Sequence, residues 1–145
     1  MMERAARPRA DGRRPPFVPA RGPVLALDLG ASLIRAAVID VDGRLTSRSE
    51  SPTPVEAGPD AVVSACLDRL RDARAGAEHP VVAVGVSAPG PLDPRTGTLV
   101  DLPNMGAAFH DVELGARLAD GLALPVAVDR DTRVALVAET AFGAA

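Results

Sequence analysis

The chain has 145 residues, 47% of them hydrophobic and 24% charged, with a formal net charge of -3. That length suits one domain able to bury roughly two thirds of its surface. All 16 cations are arginine, which excludes a Walker A loop, a Schiff-base lysine and the lysine of protein kinases, while one cysteine excludes a disulfide framework and any multi-cysteine zinc site in these residues.

The charge is uneven. Residues 1–22 carry six Arg against Glu3 and Asp11, a balance of +4, and the remainder carries ten Arg against 17 acids, or -7. The two sum to the net charge of the chain. Residues 1–22 are rich in Arg and Pro and lack apolar periodicity, so they are expected to be a disordered leader. Arg13-Arg14 is not followed by the apolar stretch an export signal requires, and no run of residues is long enough to span a membrane, which points to a cytoplasmic protein. With three Phe and no Trp or Tyr, aromatic stacking on single-stranded nucleic acid is disfavoured.

The ordered part is expected from residue 23 onward. Val24-Leu25-Ala26-Leu27-Asp28 reads as a buried strand, and Gly30 permits a tight turn into a second strand over Ser32–Asp40. Asp42-Gly43 signals a hairpin and Leu45–Ser49 a third strand. Residues 51–59, with three prolines and a glycine, read as a loop. Apolar spacing at Val62, Val63, Cys66, Leu67 and Leu70 predicts a helix over Asp60–Arg74 with Asp60 as N-cap and Cys66 in the core. Val81–Val86 predicts a central strand buried on both faces. After the break at Pro89-Gly90-Pro91 come a turn at Asp93–Gly97 and a short strand at Thr98–Val100. A helix over Asp111–Asp120, a strand at Pro125–Val128 and a helix from Asp131 towards Phe142 complete the chain.

Three hairpin-linked strands followed by crossover units imply an α/β fold: a mixed five-stranded sheet with helices on its faces. That is the ordering of the ribonuclease H-like, actin-type ATPase fold. A Rossmann domain would place a helix directly after the first strand and carry G-x-G-x-x-G, and this chain does neither.

Two carboxylates fall where strands end. Asp28 precedes Leu29-Gly30-Ala31-Ser32, whose small residues let turn amides approach an anion. Ser32 can donate its hydroxyl, and Asp28 can hold a water on a magnesium ion. Each feature fits a tight hairpin with local Asp bonding equally well. Asp131 opens the last helix, where the helix N-terminus and the neighbouring Arg130 and Arg133 favour its ionised form. It can accept a proton from an attacking hydroxyl or serve as an ordinary first-turn Asp. The loop Ala88-Pro89-Gly90-Pro91 lies beyond a central strand, where such folds bind ligands. Asn104 can contact hydroxyls or support a turn. His79 and His110 show no metal spacing.

Together, Leu25–Ala37, Val84–Asp93, Leu102-Pro103-Asn104 and Val128–Thr132 resemble the ROK family of bacterial sugar kinases, glucokinases among them, and sugar-responsive repressors. The resemblance covers residues 23–145 and implies one lobe of two. It implies that Asp28, Gly30 and Ser32 match a phosphate motif usually written Asp-x-Gly-Gly-Thr-Lys, with Ala31 for the second glycine and Leu33 for the lysine. Asp131 matches the base that takes the proton from a sugar hydroxyl attacking the γ-phosphate of Mg-ATP. Asn104, Ala88 and Gly90 match sugar-side positions. Arg130 stands in place of a sugar-contacting asparagine; because Arg only donates hydrogen bonds, this implies a different sugar, an anionic one included, or a lost activity.

Family members run to about twice this length, and their zinc motif and adenosine site lie in the second half. The resemblance therefore implies an N-terminal lobe, inactive alone, of a sugar kinase. The alternatives are a fragment of a sugar-sensing regulator or a non-catalytic relic. A sugar substrate or effector is the implied partner, and a homo-oligomer is open. Nucleic-acid binding would require a helix-turn-helix that residues 1–22 are too short and proline-rich to form.

Overall fold

The computed structural model describes residues 21–142. Almost all of the expected leader, residues 1–20, lies outside them. The elements are β1 (Val24–Leu29), β2 (Leu33–Ile39), β3 (Leu45–Pro52), α1 (Pro59–Ala75), β4 (Ala83–Ala88), β5 (Leu92–Asp93), β6 (Thr98–Asp101), β7 (His110–Val112), α2 (Leu114–Leu122), β8 (Val126–Arg130) and α3 (Asp131–Phe142). Five strands form a mixed sheet in the order β3-β2-β1-β4-β8, and β5-β6-β7 form a separate three-stranded sheet.

The first three strands form an antiparallel meander. Gly43 (φ +82) turns the β2–β3 hairpin, and the Asp40 carboxylate accepts from the Asp42 and Arg44 amides, each at 2.9 Å. From β3 the chain crosses through α1 to β4, which lies parallel to β1, and through α2 to β8, parallel to β4. Helix-linked crossovers make these pairings parallel.

One face of the sheet is packed. Leu25, Leu27 and Leu29 of β1, Ile34 and Val38 of β2, and Val84 and Val86 of β4 are buried with Val63, Cys66 and Leu70 of α1 and Leu118 of α2. The opposite face carries Ala26, Ala37, Gly85 and Ala127. Together with Val134 and Val137 of α3, these line an open hollow of about 1030 Å³.

Several boundaries differ from the sequence reading. Helix α1 is capped by Gly58 with Pro59 inside its first turn, so Asp60 is not the N-cap. Its carboxylate instead receives the Arg117 guanidinium at 2.8 Å, tying α1 to α2. Strand β4 starts at Ala83, with Val84, Val86 and Ala88 buried and Gly85 exposed. Among the described residues its second face is open, which corrects the doubly buried reading. Strand β3 runs on to Pro52 and shortens the expected loop. The helix expected from Asp111 begins at Leu114, because Asp111 adopts φ +48 and His110–Val112 pair with β6.

The small sheet docks on α2 through two glycines. Gly97 has φ +71, and a Cβ there would lie 2.9 Å from Gly115 Cα. Gly97→Ala combines left-handed backbone with overpacking and is expected to cost about 2–5 kcal/mol. The check is the urea midpoint at unchanged denaturant slope.

Burial pushes the Cys66 thiol up to about 12, outweighing a backbone hydrogen bond that acts in the opposite direction. The unfolded thiol ionises near its ordinary value of 9.0 and the folded one does not. Stability from this group is therefore intact below pH 9 and falls as pH rises above it. Native protein is expected to resist iodoacetamide at pH 8.5 and to react once unfolded, as mass spectrometry would record.

Candidate functional site

Because β1, β4 and β8 are adjacent and parallel, their carboxyl ends reach one edge of the sheet. This edge collects the Asp28–Ser32 segment, the Ala88–Gly90 segment and Arg130-Asp131, which are far apart in the chain.

Strand register aligns a polar row along this edge on the open face. Glu50 pairs with Arg35, Arg35 with Asp28, Asp28 with Ser87, and Ser87 with Asp129. Arg35 bridges Asp28 at 3.6 Å and Glu50 at 3.8 Å. These groups are more than half exposed, so the bridges orient Asp28 and contribute little stability. At a strand spacing of about 4.8 Å, the Asp28 and Asp129 backbones lie roughly 10 Å apart.

The β1–β2 turn is held by its own backbone and by Thr53. Gly30 N–H donates to the Leu33 carbonyl at 2.9 Å, and a Cβ on Gly30 would sit 3.0 Å from that oxygen. Close approach, and not a positive φ, is what favours glycine here. Thr53 Oγ1 donates to the Gly30 carbonyl at 2.8 Å, and Thr53 N–H donates to the Ser32 carbonyl at 2.9 Å. Ala31 and Ser32 are exposed.

At the β8–α3 junction, Asp131 heads the helix and is exposed, and its Oδ1 accepts from Thr132 N–H at 2.7 Å. The two neighbouring arginines are directed elsewhere. Arg133 Nε pairs with Asp129 Oδ2 at 3.1 Å, and Asp129 Oδ1 accepts Arg130 N–H at 2.8 Å. The Arg130 side chain lies over Gly90, where a Cβ would meet its Nε at 2.9 Å. Arg130 and Arg133 also line a hollow of about 400 Å³ with Leu92, Pro94 and Thr132. The expected flanking of Asp131 by both guanidinium groups is replaced by this arrangement.

Ala88, buried at the end of β4, pairs with Arg130 in register. Asn104 does not join the strand-end row. It is exposed on a single 3-10 turn, Pro103–Met105, held between the buried Leu102 and Met105. His79 is exposed, and His110 Nδ1 lies 3.7 Å from Asp101 Oδ1. No group of three metal-ligating side chains occurs among the described residues. No helix among them is long and apolar enough to cross a membrane.

The ROK family profile matches residues 24–145. The chain belongs to the ROK family. A glucokinase of Streptomyces coelicolor is 32% identical over 122 residues, covering 84% of this chain and 37% of that protein. The crystal structure of a ROK family glucokinase from Streptomyces griseus, in complex with glucose and AMPPNP, superposes with a TM-score of 0.74 at 31% identity. That match covers 85% of this chain and 38% of the other. A transcriptional regulator of Mycobacterium bovis is 33% identical over 113 residues, which is 78% of this chain and 24% of the regulator. The chain thus spans little more than a third of the glucokinases it matches. The actin-like ATPase fold follows from these neighbours and from the mixed five-stranded sheet.

Thr53, Arg35, Ser87 and Asp129 join the site through register and long-range hydrogen bonds. Only Arg35 is marked locally: a tight turn centred between Ala31 and Ser32 places it opposite Asp28. No local pattern marks Thr53, whose partner Gly30 is 23 residues away.

Gly90→Ala is expected to displace the flexible Arg130 side chain and not the backbone. Stability should change by less than about 0.5 kcal/mol, while the Arg130 Nε–H resonance should shift in an NMR spectrum of labelled protein.

Proposed function

We propose that residues 23–145 are the N-terminal lobe of a sugar kinase-like ROK protein that transfers the γ-phosphoryl group of ATP to a sugar hydroxyl. The observation that carries this reading is the shared sheet edge, where Asp131 opens α3 at the end of β8 and the Asp28–Ser32 turn ends β1. ATP bound with magnesium would supply the phosphoryl group and the cation that offsets its charge.

The residues present suit that pair of ligands. Asp28 offers a half-exposed carboxylate, paired among the described residues only with the exposed Arg35, to a magnesium ion that takes its other ligands from phosphate and water. The Gly30–Ser32 turn offers backbone N–H groups and the Ser32 hydroxyl to phosphate oxygens. Asp131 takes the proton of the attacking hydroxyl at a carboxylate oxygen, and Gly90 and Arg130 orient the sugar, with Ala88 buried at the end of β4 and Asn104 contributing from the separate Pro103–Met105 turn. Arg130 donates only, so it favours an acceptor-rich or anionic sugar group. Half a cleft does not enclose both substrates, so these residues alone are expected to give no turnover.

A hybrid tests the reading: residues 24–145 replace the matching segment of the Streptomyces griseus glucokinase. Phosphoryl transfer to at least one member of a sugar panel is expected, and Asp131→Asn should lower kcat by on the order of 10²–10⁴-fold. A folded hybrid that phosphorylates no sugar, or an unchanged kcat in Asp131→Asn, overturns the kinase reading.

A sugar-sensing regulator is the second reading, and the similarity to the Mycobacterium bovis regulator favours it. On that reading the folded hybrid binds a sugar without transferring phosphate to it.

A further inference from the structure

The β1–β2 turn directs its carbonyls to one side. The Gly30 carbonyl accepts from Thr53 Oγ1, and the Ser32 carbonyl accepts from Thr53 N–H. The Gly30 N–H is used by Leu33. Among the described residues the Ala31 and Ser32 N–H groups have no hydrogen-bond partner.

The Gly30 carbonyl and the Ala31 N–H belong to one planar trans peptide, so they point in opposite directions. Whatever holds the carbonyl also aims the amide. If the Gly30–Ala31 peptide turned over, the carbonyl oxygen would occupy the place of the N–H, and an incoming anion would meet a negative end instead of a positive one.

We propose that Thr53 is a positioning residue for the phosphate-accepting turn, its hydroxyl fixing the Gly30–Ala31 peptide so that the Ala31 N–H faces outward. The proposal rests on the kinase-like reading above and extends it to a residue from a different element, just beyond the end of β3. Threonine suits the task. Its β-branched side chain is restricted at χ1, which limits the directions the hydroxyl can take, although the hydroxyl itself makes the bond. Thr53 N–H, bonded to the Ser32 carbonyl, anchors the same residue at a second point.

The test uses the 145-residue chain labelled with ¹⁵N and titrated with Mg-ATP, and separately with pyrophosphate. Saturable shifts of the Ala31 and Ser32 amide resonances are expected. Thr53→Val should weaken the apparent affinity by about tenfold or more, the equivalent of one hydrogen bond. Thr53→Ser, which retains the hydroxyl, should stay within about twofold of the parent. Thr53→Ala removes the hydroxyl with less steric demand and should match Thr53→Val; it serves if valine disturbs folding. Parent-like affinity in the folded Val or Ala variant overturns the positioning role and leaves the kinase-like reading standing. Equal loss in Thr53→Ser overturns it too, because the hydroxyl would then not be what matters. If the parent shows no saturable shift at these amides, the phosphate reading of the turn falls, and the role of Thr53 falls with it.

Discussion

The parallel pairing of β1 with β4, and of β4 with β8, is the constraint on which the site depends. A hairpin would send successive strand ends to opposite edges. Crossovers through α1 and α2 return each strand in the same direction, so three carboxyl ends meet at one edge. Asp28, Ala88 and Arg130 occupy neighbouring strand ends for this reason alone. The packing that enforces it lies on the other face of the sheet. There Leu25 and Leu27 of β1 and Val84 and Val86 of β4 are buried with residues of α1 and α2, each large aliphatic side chain contributing about 1.5–3 kcal/mol by leaving water. The ion pairs in the site are exposed and cannot supply energy on that scale. Geometry at this strand-end edge is therefore set by hydrophobic packing on the opposite side.

The open face carries a gradient along the strands. One row across the sheet runs Arg48, Ala37, Ala26, Gly85 and Ala127, and the next row towards the edge runs Glu50, Arg35, Asp28, Ser87 and Asp129. Moving two residues along a strand keeps the face and changes the row. The row nearer the edge is polar throughout, and the row behind it consists of small residues except for Arg48 on the outer strand β3.

Much of this was legible in the sequence, for identifiable reasons. The β1–β2–β3 meander follows from tight-turn signals at Gly30 and Asp42-Gly43, which act locally. The junction of β8 with α3 at Asp131 follows from a strand run meeting a helix-opening acid. Elements governed by distant partners were less visible. Strand β7 lies in a segment whose apolar spacing, Val112, Leu114 and Leu118, also fits a helix, and its pairing with β6 decides the outcome. The cap of α1 is Gly58, with Pro59 and Asp60 inside the first turn, and Asp60 pairs with Arg117, 57 residues away. The alternation of burial in β4 cannot be read from a run of valines; it depends on what covers each face.

The charges around Asp131 follow the same logic of competition. A general base needs an available lone pair, and an arginine bonded to its carboxylate would occupy one and lower its basicity. Two arginines, Arg130 and Arg133, lie within two residues of Asp131. Asp129 accepts the Arg133 side chain, and the Arg130 side chain rests over Gly90. Strand alternation makes this possible, because Asp129 belongs to β8 and turns towards the polar row, whereas Asp131 has already entered α3. Asp131 keeps a single backbone donor on one oxygen, and its other oxygen has no hydrogen-bond partner among the described residues. For the proton-accepting role proposed for Asp131, the part played by Asp129 is to engage the neighbouring Arg133 side chain.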